Sequence, residues 1–526
     1  MPIDFKPGDQ KINSARRCVP YLTGLLAFSA LICFIILRLF HYATDDAYIY
    51  FRVAENFAAH GLPYYNIDRA LMSSSSTLWT IILAAIFTLF GAEPGAVAVL
   101  EILVVIGMCI AADHLLLHLS PNASSAMRLL NLAATVSTVL LSAIQLMETP
   151  LAVLFLLIGI LAVMKFKITA YVWLTLALLI RLELVVFLIG GLAWELRSSF
   201  KRFILCAGTA CFAFVPFAIF NLYYFGGSLP HTVAAKAAIY DLSWHESLML
   251  LISEHFGKKL FLNWPVLVLP YAVLLILLFG RELAAFRRDD PASKVLAALL
   301  LLPGLTIAAA YTISGTFIFP WYVPLYTTPI ALALLHLSTL TKRSFAFAAG
   351  VLFVLPPLLA RAGDLLGAAS SPSYFTDFET GAKTRRYIEV GRELNQLYPG
   401  ATLLAPEVGG LGYTFKGKVF DGAGLVTPEA LAFYKSEARD MRGTIPVGLA
   451  TTLDPDIIVG LDGMLGDILR SEQARAYCID EQQIFTSDDI NESRDPKFQY
   501  SSSLLVLIRH SLFKQGLSQS IRSTCL

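Results

Sequence analysis

Charge is scarce in this sequence. Only 15% of its 526 residues are Asp, Glu, Lys or Arg, where a soluble chain carries about a quarter, so an ordinary solvated globule is excluded. Neither sign dominates: 40 basic against 39 acidic side chains leave +1, which removes the electrostatic footprint of a nucleic-acid-binding protein. The seven cysteines show no zinc-site spacing. Cys18, Cys33, Cys109, Cys206 and Cys211 fall in or beside apolar runs, where a thiol packs as a small apolar group. Cys478 and Cys525 lie in a polar tail and can pair if that tail faces an oxidising compartment. There is no internal repeat and no low-complexity segment. No small-residue cleavage site follows the first apolar run, which reads as a retained span rather than a signal peptide.

Apolar side chains make up 56% of the chain, and they come in blocks of the kind that cross bilayers. The first runs from Tyr21 to Phe40. Others follow at Ser76–Phe90, Val97–Leu119, Leu129–Met147, Leu151–Met164, Ala170–Ile180, Leu184–Trp194, Phe203–Tyr224, Val266–Phe279, Val295–Ser314, Tyr322–Leu337 and Phe345–Leu359. Several fall short of the roughly 20 residues of a full span.

Basic clusters set the sidedness. Lys6, Lys11, Arg16 and Arg17 precede the first run; Lys165/Lys167, Arg197/Lys201/Arg202, Arg281/Arg287/Arg288 and Lys342/Arg343 mark later cytoplasmic ends. An inside N-terminus and an outside tail require an odd number of crossings. Twelve runs therefore become eleven or thirteen spans, with Ser120 to Glu148 the stretch where a run is misdrawn or re-entrant. The expected fold is a polytopic α-helical membrane protein of about 11–13 spans. Residues 1–20 form a cytoplasmic segment and 21–361 the membrane domain, with external loops at 41–75 and 226–262. Residues 371–526 form an extracytoplasmic α/β domain, whose charged helix lies at Arg385 to Leu397 and whose β-like runs are Thr402–Ala405, Ile457–Val459 and Leu504–Ile508.

Within the first external loop, Ala47, Tyr50, Phe51, Ala54, Phe57 and Ala58 recur at helical spacing, while Asp45, Tyr48, Arg52, Glu55 and Asn56 take the opposite face. This predicts an amphipathic helix lying on the outer membrane surface, capped by Thr44 or Asp45. Asp46 falls at the edge of the apolar arc, where desolvation would make a carboxylate a better base. Both aspartates serve equally well as caps.

Several short patterns occur in order along the chain. They are Asp45-Asp46-Ala-Tyr-Ile, then Asn56, His60-Gly61 and Asn66, then Ser75-Ser76-Thr77-Leu78-Trp79. Next come Met147-Glu148-Thr149, Arg181-Leu182-Glu183, Leu229-Pro230-His231-Thr232 with Lys236, and Pro320-Trp321-Tyr322-Val323-Pro324. The tail adds Glu407-Val-Gly409-Gly-Leu-Gly412-Tyr413 and Asp421-Gly-Ala-Gly424-Leu425. Together they resemble the GT-C superfamily of membrane glycosyltransferases over nearly the whole chain, and within it the arabinofuranosyltransferase-like branch, of the mycobacterial terminal β-arabinofuranosyltransferase type. Three positions depart from the pattern: Leu146 stands in place of glycine, Leu182 of proline and His231 of asparagine.

The resemblance implies a polyprenyl-phosphate sugar donor, arabinofuranose as the sugar, and a hydroxyl of a cell-envelope glycan, lipid or protein as acceptor, at the bacterial inner membrane. It implies Asp45 or Asp46 as the catalytic base. The family pattern favours Asp45 and the helical wheel Asp46. Arg52, Arg181, His231 and Lys236 are candidates to hold the phosphate, since cations stabilise developing phosphate charge. Glu148, Glu183, Trp321 and Tyr322 join them as substrate-binding candidates, with no cofactor and no metal expected. Blander readings stand beside these. Glu148 would cap the helix after it, Arg181 and Glu183 would pair across a turn, Lys236 would snorkel, Trp321 and Tyr322 would belong to an aromatic belt, and Gly409, Gly410 and Gly412 would make a turn. A flippase of a lipid-linked sugar and a glycan polymerase or ligase are the rival functions; a transporter would be expected to show repeats and a midplane site.

Overall fold

The computed structural model describes residues 7–121, 123–227, 230–240, 242–257, 297–341, 344–370, 378–437, 443–483, 503–518 and 520–525. The run expected at Val266–Phe279 and the clusters Arg281/Arg287/Arg288 and Lys342/Arg343 lie outside the described residues, as do parts of the 1–20, 226–262 and 371–526 segments.

The helices follow the apolar runs. They are α1 (Pro7–Leu39), α2 (Asp45–His60), α3 (Thr77–Phe90), α4 (Pro94–Leu119), α5 (Ser125–Ile144), α6 (Thr149–Met164), α7 (Ala170–Ile180), α8 (Val185–Ser198), α9 (Phe200–Phe225), α10 (His231–Ile239) and α11 (Trp244–Phe256). After them come α12 (Leu302–Ile313), α13 (Pro324–Thr341) and α14 (Ser344–Ser370). Among the described residues, Thr23–Tyr42, Pro94–Leu119, Ser125–Ile144 and Phe200–Phe225 are long and apolar enough to cross a membrane, and five shorter apolar helices accompany them. The stretch suspected of being re-entrant, Ser120 to Glu148, thus holds a helix of full spanning length. On α9 the side chains of Phe212, Ile219, Leu222 and Tyr223 are exposed, as a lipid-facing surface requires.

The chain divides into two compact units. The first comprises residues 1–38, 98–215 and 243–363; the second comprises 39–97, 216–242 and 364–526. In the first unit α6 and α7 pack closely, because Gly159 leaves no room for a Cβ beside Leu174. Asp113 of α4 accepts two bonds from the Arg128 guanidinium of α5, at 2.9 and 2.6 Å. A charge pair inside apolar helices stands only when satisfied in this way.

Among the described residues, the second unit is built on a sheet of six strands: β1 (Thr402–Ala405), β2 (Lys418–Asp421), β3 (Ile457–Leu461), β4 (Tyr477–Gln483), β5 (Ser503–Arg509) and β6 (Ser520–Cys525). Their order is β2-β1-β3-β5-β4-β6; β1 pairs in parallel with β2 and β3, and the remaining pairs are antiparallel. Strand periodicity splits the apolar residues between two cores. Leu403, Ala405, Ile457, Val459, Leu504 and Val506 enter one; Leu404, Ile458, Leu505 and Leu507 enter the other. A disulfide joins Cys478 of β4 to Cys525 of β6, which face each other in register. Helix α15 (Phe378–Leu397) and the short α16 (Gly409–Thr414) cover the first core.

The loop expected at 41–75 belongs to this same unit. Ile49 and Val53 of α2, with Tyr65, complete the first core. The helix is there as the periodicity predicts, but its polar face is not solvated: Asp45, Tyr48 and Arg52 are all buried. The reason is that the C-terminal domain lies on that face and supplies backbone partners for it.

Candidate active site

Two groups of candidate residues are built separately, one in each unit.

In the second unit, Asp45 and Asp46 form the first turn of α2, where unpaired N–H groups and the helix dipole favour negative charge. They face different surroundings. Asp45 Oδ2 accepts the Gly409 N–H at 2.7 Å and Oδ1 the Gly410 N–H at 2.8 Å. The approach is so close that a Cβ on Gly409 would sit 1.7 Å from the Asp45 carbonyl oxygen. Burial pushes the Asp45 carboxyl up to about 7, the nearby Glu407 carboxylate adds to this, and the two backbone bonds act against it. Glu407 in turn accepts from Lys383 (2.6 Å) and from the Tyr387 hydroxyl (3.0 Å). Asp46, with 26% of its side chain exposed, instead pairs with Lys236 at 3.3 Å.

Lys236 and His231 lie on α10, which is held to the unit at both ends. The His231 N–H donates to the Met72 carbonyl (3.1 Å), and Ile239 packs on the second sheet core. His231 Nε2 is buried and has no hydrogen-bond partner among the described residues.

Arg52 has a different environment from the one expected of a phosphate ligand. Its Nε donates to the Tyr65 carbonyl (2.8 Å), and its Nη1 to the carbonyls of Gly412 and Phe415. Its Nη2 donates to Asn66 Oδ1 (3.3 Å) and the Gly417 carbonyl (2.9 Å). Those bonds engage all five guanidinium N–H groups. The Tyr65 ring stacks at 4.5 Å from the guanidinium carbon, and its hydroxyl donates to the Val408 carbonyl.

In the first unit, Glu148, Arg181 and Glu183 meet. Arg181 Nη1 donates to Glu148 Oε1 (2.8 Å), while Nε and Nη2 donate to the two oxygens of Glu183 (3.2 and 2.5 Å). The Tyr311 hydroxyl donates to Glu183 Oε1 (2.9 Å), and the Tyr322 ring lies 4.3 Å from the Arg181 guanidinium carbon. Two carboxylates around one guanidinium leave this group with a formal charge of −1. Glu148 occupies the N-cap position of α6 without making a side-chain cap bond; its carboxylate is turned to Arg181. Leu146, at the position where the resembled pattern has glycine, takes φ +56°, the left-handed region that glycine adopts without cost. Trp321 receives the Thr149 hydroxyl on its carbonyl (2.7 Å), and its ring stacks on Phe319.

The structure therefore gathers Asp45, Asp46, Arg52, His231 and Lys236 within one unit, and Glu148, Arg181, Glu183, Trp321 and Tyr322 within the other. Sequence reasoning missed Lys383, Tyr387 and Tyr311, which carry no pattern of their own. Glu407, Gly409 and Gly410 were singled out by resemblance, but their part as the seat of Asp45 was not visible.

No family model matches the chain, and no curated protein matches its sequence. Its fold does match solved structures. ArnT from Cupriavidus metallidurans bound to undecaprenyl phosphate superposes with a TM-score of 0.52 at 12% identity, covering 94% of this chain and 99% of that one. The same protein in the apo state gives 0.50 at 13% identity, over 95% and 99%. A fainter likeness, to the Archaeoglobus fulgidus oligosaccharyltransferase in complex with Zn and sulfate, has a TM-score of 0.43 and bears no argument. Over nearly its whole length the chain has the polytopic α-helical fold seen in ArnT, with a C-terminal domain built on a small sheet.

Proposed function

We propose that this chain is a glycosyltransferase that moves a sugar, arabinofuranose in the first instance, from a polyprenyl-phosphate carrier to a hydroxyl of a cell-envelope acceptor on the outer side of the bacterial inner membrane. The observation that carries the reading is the partly exposed Asp46–Lys236 pair at the start of α2, on a fold shared with a protein solved with undecaprenyl phosphate. The sidedness rests on the basic clusters and on the Cys478–Cys525 disulfide, a bond that persists in oxidising compartments.

In this reading Asp46 accepts the proton of the acceptor hydroxyl as its oxygen attacks the anomeric carbon. The bond from that carbon to the phosphate oxygen breaks, and polyprenyl phosphate leaves with the electron pair. Lys236 and His231 are the groups of the second unit suited to the departing phosphate. Arg52 holds the site's walls, because its donors are spent on protein carbonyls. A second reading has Asp45 as the base, and its carboxyl at about 7 favours it, since a base near the working pH is most effective.

The test is transfer of radiolabelled sugar from a synthetic polyprenyl-phosphate arabinofuranose to glycan acceptors by the purified chain in nanodiscs. Loss of transfer in Asp46→Asn with retention in Asp45→Asn supports the first reading, and the reverse supports the second. Full activity in both removes the loop aspartates from catalysis. Movement of the lipid-linked sugar across vesicles with no new glycosidic bond replaces the enzyme with a flippase.

A further inference from the structure

A cavity of about 370 Å3 opens toward the far end of α2, in the same unit as the aspartates; Arg52 lines it, but Asp45, Asp46, His231 and Lys236 do not. Asn56 stands ten residues beyond Asp46 on that helix, about 15 Å along its axis. Three segments build the walls: the end of α2, the loop after it, and the turn leading into β2. Two ion pairs brace them, Lys416 to Glu55 and Lys418 to Asp68, each at 2.6 Å.

The lining has a particular chemistry. Asn56 uses its amide N–H groups on the carbonyls of Tyr64 and Tyr65, which fixes its orientation and leaves Oδ1 as an acceptor. His60 also lines the cavity and is exposed. The carboxylates of Glu55 and Asp68 and the ammonium groups of Lys416 and Lys418 offset one another, and the Arg52 guanidinium that also lines the cavity is spent on protein acceptors, so the walls carry paired acceptors and donors with a formal excess of one positive charge. Ile67 adds an apolar surface, 53% exposed. Fixed polar groups of both kinds around one apolar patch match a pyranose or furanose ring, whose hydroxyls radiate from a C–H face. The volume falls in the range of small-ligand sites.

We infer that this cavity binds a neutral sugar residue of the acceptor glycan, several rings away from the reacting hydroxyl. This rests on the proposed glycosyl transfer and adds that the acceptor is an oligosaccharide. A single sugar or a short lipid head would not reach from the cavity to Asp46.

The experiment separates binding from transfer. Full-length protein in nanodiscs is titrated, without donor, with linear arabino-, manno- and gluco-oligosaccharides of one to eight residues. The wild type is compared with His60→Ala and Asp68→Ala, both surface substitutions outside the catalytic group. Losing one or two ring contacts weakens binding of the longer oligosaccharides about tenfold. In transfer assays KM for a long acceptor rises by a similar factor, while kcat and the KM for a single-residue acceptor stay unchanged. Binding that depends on the cavity, without any transfer, keeps the cavity as a sugar site but sinks the enzyme reading, and with it the part of acceptor subsite. Transfer with wild-type KM in both variants, no oligosaccharide binding by the wild type, or binding confined to anionic glycans overturns the inference.

Discussion

Replacing Arg52 by lysine separates the two parts this residue has been given. Lysine keeps the positive charge that a phosphate ligand needs, but it brings at most three donors where arginine brings five. In the structure all five are used, four on backbone carbonyls and one on Asn66. At least two acceptors must therefore lose a charged partner, and at about 1.5–3 kcal/mol each the cost is about 3–6 kcal/mol. A loss of that size lowers a melting midpoint on the order of 10 °C. The assay is thermal unfolding of the purified protein in detergent, followed by intrinsic fluorescence, with limited trypsin digestion of the C-terminal domain beside it. Arg52→Lys is expected to unfold early and to release the domain to protease, with the donor KM of the surviving protein unchanged. An unaltered midpoint and protease pattern together with a raised donor KM would refute the clamp and restore Arg52 as a phosphate ligand.

Other outcomes follow from the same geometry. Gly409→Ala drives a Cβ into the Asp45 carbonyl oxygen and should cost about 1–3 kcal/mol or more, seen as increased hydrogen exchange in both α2 and α16. The raised Asp45 carboxyl makes stability depend on pH. The folded state holds the proton more tightly than the unfolded one, so the contribution is full below about pH 4 and lost as pH rises through about 7. The shift is worth about 3–5 kcal/mol, and Asp45→Asn should flatten that part of the stability–pH curve measured by denaturant titration. Arg181→Ala leaves Glu148 buried without its cation and should cost about 3–5 kcal/mol; the double variant with Glu148→Gln should recover much of it in a thermal shift assay.

The membrane part was legible because bilayers select on composition. Ala170–Ile180 is a helix with the bounds its apolar run has, and Phe203–Tyr224 lies inside Phe200–Phe225. In the C-terminal domain the strands with alternating or continuous apolar residues were readable: Thr402–Ala405, Ile457–Leu461 and Ser503–Arg509. Strand β4 was not, since Tyr-Cys-Ile-Asp-Glu-Gln-Gln is polar over half its length. Its Asp480 is buried by bonds from the Leu517 N–H and the Ser520 hydroxyl, partners that no local pattern announces. The helical wheel misjudged the aspartates for a related reason. It assumed that lipid or apolar protein defines the inside, whereas Asp45 is buried by two backbone N–H groups from 364 and 365 residues away. Backbone partners have no side-chain identity, so the sequence records them only indirectly, as the glycines at 409, 410 and 412 that let the chains approach.

The joining of α2 to the C-terminal domain has a consequence for how the protein is made. Arg52 and its acceptor at Gly412 are 360 residues apart, and a ribosome working at 5–20 residues per second delivers the second about 20–70 s after the first. Throughout that interval the Arg52 guanidinium and the Asp45 carboxylate lack the backbone partners that bury them in the finished fold. Their neighbours in the sheet core, Ile49 and Val53, wait equally bare. The folded core around α2 can therefore close only after the C-terminal domain has been made, so a chain truncated before Gly409 leaves Arg52 and Asp45 without the backbone partners they have here.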